Sequence, residues 1–350
     1  MKTLFGYEPV ATYTRGGIIQ NCHFGALAMV NADGVPVFTL GDKDLVNFPH
    51  SSLKPFQALP FVELGGPEHF GLTEEELAVM CSSHTGTDEH LRVVQSIHVK
   101  TGLSMENLQC GPHMPVDKPT ADRMLINNEE PNSLHNNCSG KHSGMLAQAL
   151  LRGALLDNYM EIDHPVQKAI VQTIAEMCSV EPDSLVVGID GCTAPTFALP
   201  LYNFALGVAK LCQPDSLEPT RADACRKVTH AMMNYPNMIR GPKGMDTVLM
   251  GVMKGKVISK LGAEGHQLIG IMPNALHEGS PAYGISMKIS DGDVNERVRY
   301  ALVTEILRAV GFEEEMNSPE MEPFTDRSWR NWRGIQVGEI SLMKPVVISI

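Results

Sequence analysis

The 350-residue chain has no run of about 18 uninterrupted apolar residues, so no helix long enough to span a bilayer is expected. It also lacks a basic excess: 28 Lys and Arg stand against 40 Asp and Glu, a formal net charge of -12. Nucleic-acid binding needs clustered cations against phosphate, so that class is excluded. Met1 to Gly25 has neither a charged-then-apolar pattern nor a small-residue cleavage site, which argues against a secretory signal and for a cytoplasmic protein. Cysteine is sparse, with eight in the chain, far from the density of a disulfide scaffold. Reduced thiols are therefore expected. No Gly/Ser linker, low-complexity tract or fixed-period repeat divides the sequence. One catalytic unit over 1–350 is the expectation, with a helical subregion around 88–235.

The two ends of the chain read as strands. Ala26 to Val30 and Val35 to Leu40 flank Asn31-Ala32-Asp33-Gly34, a hairpin signature, and Val10–Tyr13 and Gly17–Cys22 precede it in the same sheet. Further buried strands are expected at 185–189, 256–260, 267–272 and 283–289. The middle is helical. Ser51 to Leu64 suits a helix stopped by Gly65-Gly66, with Pro60 implying a kink, and Thr73-Glu74-Glu75-Glu76 is a capping box. Apolar spacing predicts other helices over 88–100, 140–152, 164–178, 197–212, 218–234 and 294–310. Residues 110–137 read as a long functional loop. This order is not a βαβ alternation. It predicts an α+β fold, an antiparallel sheet flanked by helices.

Chemistry concentrates in a few short segments. Ser51 and Lys54, three apart, share a helix face, and a lysine made neutral by burial or by a second cation can take a serine's proton. The helix start would add free N–H groups for an oxyanion. The same two residues equally describe a capping serine and a solvated lysine. Ser83-His84 before Gly86 is a second candidate, and Lys260 in Lys260-Leu261-Gly262-Ala263-Glu264-Gly265 ends a buried strand where it needs a partner. His135-Asn136-Asn137-Cys138-Ser139-Gly140-Lys141-His142 opens a helix. Cys138 and His142, four apart, suit one metal, and Cys192 follows Asp190 at a strand end. Two buried free cysteines are the plain alternative.

Taken in order, these blocks resemble the thermolabile, rhizobial-type L-asparaginase family. Further carriers are Cys22-His23-Phe24-Gly25, Pro55-x-Gln57, Cys110-Gly111-Pro112-His113, Gly188-Ile189-Asp190-Gly191-Cys192 and Gly334-x-x-Val337-Gly338-Glu339-Ile340. The resemblance implies a serine β-lactamase or glutaminase-like fold, a homodimer and hydrolysis of L-asparagine to aspartate and ammonia. It implies two Ser-Lys pairs, Ser51 with Lys54 and Ser83 with Lys260. It further implies a zinc held by Cys138, Lys141 and Cys192, which moves His142 from ligand to a supporting place beside Asp190. Two positions depart from the family pattern: His50 stands where arginine is typical and Thr87 where glutamate is usual. His50 and His84 are expected near the substrate. A glutaminase or other amidase, a zinc-water hydrolase and a non-catalytic binding protein are the rivals; clear S-x-N and K-T-G partner motifs of the penicillin-binding class are absent.

Overall fold

A computed structural model describes residues 5–348 and 350. Its main sheet has strand order β10-β11-β1-β2-β9-β8-β7, with β3 paired to β2. The strands are β1 Glu8–Arg15, β2 Ile18–Asn31, β3 Pro36–Leu40, β7 Val257–Leu261, β8 His266–Ile271, β9 Tyr283–Ile289, β10 Ser328–Arg330 and β11 Gln336–Leu342. All pairings are antiparallel. A second sheet runs β4 (Val46–Asn47), β6 (Pro195–Pro200), β5 (Val186–Ile189). The expected α+β class, an antiparallel sheet flanked by helices, is what the chain forms.

The centre of the sheet is covered on both faces, which explains its near-continuous apolar runs. Along β2, side chains alternate. Ala26, Ala28 and Val30 join Leu201, Ala205 and Leu206 of the helix Leu201–Cys212 in one buried cluster, while Leu27 and Met29 join Val303, Ile306 and Leu307 of the helix Arg297–Ala309 in another. Beyond the helix Leu201–Cys212 lies a helical layer with its own core, built around Leu53, Phe56, Leu59, Val79, Leu146, Ile170 and Val228.

Several expectations need correction. Gly17–Cys22 and Ala26–Val30 are one strand, β2, not two. The stretch 197–212 divides into β6 and a helix beginning at Leu201, because Pro200 lacks the N–H an interior helical position needs and instead serves as N-cap. The 110–137 segment contains the helix Lys118–Asn127, started by Asp117 as N-cap. The strand at 185–189 is not buried: Val186, Val187 and Ile189 of β5 are exposed on a sheet edge. Helices Pro236–Arg240 and Met245–Met253 and strands β10 and β11 went unread, being short or weakly patterned. Among the described residues no helix is long and apolar enough to cross a membrane, and all eight cysteines are free.

Two close approaches bring the reactive segments together. Gly140, at the start of the helix Ser139–Leu151, sits where a Cβ would overlap the Val79 carbonyl, so only glycine lets this helix press against the helix Glu74–Met80. A Cβ on Gly262 would likewise overlap the Pro49 carbonyl, seating the β7–β8 turn on the 3-10 turn His50–Leu53. The ends of these elements carry Ser51, Lys54, Ser83, Cys138 and Lys260.

Candidate active site

The helix Lys54–Glu63 begins with a lysine that is 1 % exposed. Burying an ammonium requires that its donors be satisfied. Lys54 Nζ donates to the Ser82 carbonyl, to Ser83 Oγ at 3.1 Å and to the Asn137 carbonyl at 3.4 Å, a full set of three. Ser51 is not among its partners. The serine lies in the 3-10 turn preceding the helix, at the edge of burial, and its hydroxyl makes no hydrogen bond to Lys54. The pairing expected from spacing alone is therefore replaced by one across 29 residues of sequence.

From the other side Lys260, fully buried near the end of β7, places Nζ 2.8 Å from the same Ser83 Oγ and 2.8 Å from the Leu261 carbonyl. Burial, and then the charge of Lys54, hold its amine well below the usual lysine range, with Asp246 opposing. Three partners then have complementary roles. Both Lys54 and Lys260 present Nζ to Ser83 Oγ, and Lys260 also donates to the Leu261 carbonyl; of the two amines, Lys260 is the one whose lowered proton affinity suits it to exchange a proton with the Ser83 hydroxyl. Ser83 itself is fixed by its N–H bond to the Ile239 carbonyl at 2.9 Å.

His84 is buried and held at both ring nitrogens. Its Nε2 donates to Ser139 Oγ at 2.8 Å, that hydroxyl donates to the Leu134 carbonyl, and Nδ1 accepts the Gly86 N–H. Burial, with His90 and Lys54 adding to it, keeps the ring neutral. His113 accepts the Asn137 N–H at 2.9 Å, and Asn136 Nδ2 donates to the Cys110 and Gly111 carbonyls. The blocks around 110–113 and 135–138 thus hold each other, and with them the carbonyl that meets Lys54. Thr87 caps the helix Asp88–Thr101.

A second polar cluster adjoins the first. Lys141 Nζ lies 2.9 Å from Cys192 Sγ, both buried, with Cys138 beside them. A hydrogen bond with Cys192 and the charges of Lys54 and Lys141 hold the Cys138 thiol well below its usual range, and the same sulfur–sulfur contact pushes Cys192 up. Burial works against the charge on Lys141, but Cys192, Cys138 and Asp190 outweigh it and raise the amine. Asp190, which burial would push up, is held below the usual carboxylate range by His50, Lys141 and the Gly191 N–H. His50 Nδ1 is 3.2 Å from Asp190, and Nε2 is 3.5 Å from Glu264. His50 and Glu264 both have positive φ, 49° and 55°, an uncommon conformation for residues with side chains. His142 Nδ1 meets the Tyr159 hydroxyl at 2.6 Å, and Nε2 has no partner.

The profile of the L-asparaginase II family matches residues 11–342. The chain belongs to that family. No curated protein sequence matches the chain. Similar solved structures include Mglu in its native form in 4.3 M NaCl, at 13% identity and TM-score 0.43, with 85% of this chain and 62% of that one covered. Another is a probable glutaminase from Bacillus subtilis complexed with 6-diazo-5-oxo-L-norleucine, at 13% identity and TM-score 0.36, covering 77% of this chain and 78% of that one. The chain thus spans less than two thirds of the length of Mglu.

Among the described residues no three His, Cys, Asp or Glu side chains converge as a metal cage. Cys138, Cys192 and the Lys141 amine nonetheless form a buried S,S,N donor set in contact, which fits a thiophilic divalent ion in donor chemistry. The residues that reading by motif missed are Asn137 as a carbonyl ligand of Lys54, Tyr159 behind His142, and Asp246. Asn137 lay inside a recognised block; Asp246, on an unread helix, had no signal.

Proposed function

We propose that this family member hydrolyses the side-chain amide of L-asparagine to aspartate and ammonia, with Ser83 as nucleophile, and that it is of the thermolabile, rhizobial type. The observation that carries this reading is the convergence of two buried lysine amines on one serine hydroxyl. Lys260 Nζ takes the proton from Ser83 Oγ as that oxygen bonds to the amide carbon. The proton passes to the departing nitrogen, the C–N bond breaks, ammonia leaves and an ester remains on Ser83. Water then attacks the ester carbon, giving its proton to Lys260, which returns it to Ser83 Oγ as the C–O bond breaks and aspartate leaves. Lys54, anchored by two backbone carbonyls, steadies the charge on Ser83 Oγ throughout. Ser51 lines the rim as a second hydroxyl, and His50 and Asp190 orient the substrate. A zinc ion would be held by Cys138, Lys141 and Cys192, and when bound it supplies a positive charge that orients a substrate carboxylate or carbonyl.

The test is ammonia release measured side by side on asparagine and glutamine, with covalent labelling by a diazo-ketone analogue of asparagine mapped by mass spectrometry. Faster turnover of asparagine and a label on Ser83 are expected. A label on Ser51 that persists in Ser83→Ala overturns the assignment of the nucleophile.

A further inference from the structure

Asp246 lies in the first turn of the helix Met245–Met253 and is 1 % exposed. Its carboxylate accepts Ser259 Oγ at 2.6 Å and Gln267 Nε2 at 2.9 Å on one oxygen, and the Leu261 N–H at 2.9 Å on the other. Ser259 and Leu261 are the two neighbours of Lys260 in β7, and Gln267 is the β8 residue paired with Leu261. Side chains alternate along a strand, so Lys260 points to one face, toward Ser83, while Ser259 points to the other, toward Asp246. Among the described residues no basic side chain forms an ion pair with this carboxylate. A buried carboxylate without its own cation is expensive unless a nearby positive charge offsets it. The cations available are those of the site: Lys54 faces Lys260 from the helix Lys54–Glu63, and Arg240 faces it from the helix Pro236–Arg240. The remaining titratable neighbours are Cys138 at the head of Ser139–Leu151 and Cys81 after Glu74–Met80.

We propose that Asp246 is a positioning residue for the Ser83–Lys260 pair, fixing Lys260 in register from behind β7 and setting a buried negative charge opposite the two amines. The inference rests on the reading of Ser83 and Lys260 given above. Without the charge of Asp246, Lys260 becomes a weaker base. The two roles separate experimentally, because asparagine at 246 keeps the shape and removes the charge.

For Asp246→Asn, kcat on asparagine falls about tenfold or more with KM little changed, and the acid limb of the kcat profile moves down by about one pH unit. Ser259→Ala removes one donor but not the charge; it leaves kcat within about threefold, with no downward movement of the limb. An unmoved limb in Asp246→Asn, or an equal downward shift in Ser259→Ala, overturns the proposal by reducing Asp246 to a structural clamp. Should Asp246→Asn not fold, the double variant Ser259→Ala/Gln267→Leu carries the test. It frees the retained charge from two donors, so the limb moves up, and an unmoved limb overturns the proposal. If instead Ser83→Ala keeps full activity, the assignment of the nucleophile fails, an outcome distinct from either.

Discussion

Lys260 and Lys141 are both buried lysines whose proton affinities are moved in opposite directions. Around Lys260 the largest charge effect comes from another cation, Lys54, so burial and repulsion act together and the amine is pushed down. Around Lys141 the neighbours are Cys192, Cys138 and Asp190, so attraction outweighs burial and the amine is pushed up. The same side chain at the same depth therefore becomes a base in one cluster and a counter-charge in the other. Burial sets the stakes, and the sign of the neighbours decides the role.

The sharpest way to break this comparison is to remove the hydroxyl that Lys54 and Lys260 share. Ser83→Ala should lower kcat by about four orders of magnitude or more, whereas Ser51→Ala should cost about a hundredfold or less. Steady-state ammonia release reads both, and equal losses would dissolve the distinction. Next in size is a matched pair of lysine substitutions. Lys141→Met leaves buried sulfur and carboxylate charge uncompensated and should destabilise the fold by about 3–5 kcal/mol in urea unfolding. Lys260→Met replaces a neutral amine by an apolar isostere and should change stability by only about 1 kcal/mol, while lowering kcat about 10²–10⁴-fold. Similar unfolding midpoints for the two would contradict their opposite charge states.

The pH dependence sharpens the point further. Lys260 must be unprotonated to take the proton of Ser83, and its value is lowered, so activity falls as pH drops through that lowered value rather than at the ordinary value of lysine. Substituting Lys54→Met removes the repelling charge, raises the proton affinity of Lys260 and shifts the acid limb upward, in an initial-rate profile, by about one pH unit. The smallest effect belongs to the rim. His50→Ala frees Asp190 and Glu264 and should raise KM for asparagine about tenfold with little change in kcat.

Much of the fold was legible because its signals are local. β9 at Tyr283–Ile289, the capped helices after Thr73 and Thr87, and the hairpin of β2 and β3 follow from alternation, capping and turn residues. β5 misled, because a run of β-branched residues looks the same on an exposed edge as in a core. The helix Met245–Met253, carrying Asp246, lay outside any motif. The site's partners were legible in part: the expected Ser83–Lys260 pairing is present, whereas Lys54 meets Ser83 and not Ser51.

By itself the sequence determined which residues are available: two serines, three lysines and two cysteines, in blocks whose order marks the family. Ser51 and Lys54 lie three apart, and that spacing suggested their pairing. The tertiary structure decided otherwise. Ser51 falls in a 3-10 turn and Lys54 opens the α-helix behind it, so the lysine runs inward to the Ser82 and Asn137 carbonyls and to Ser83. A buried ammonium goes where its three donors can be met, and those acceptors come from segments that only packing brings together.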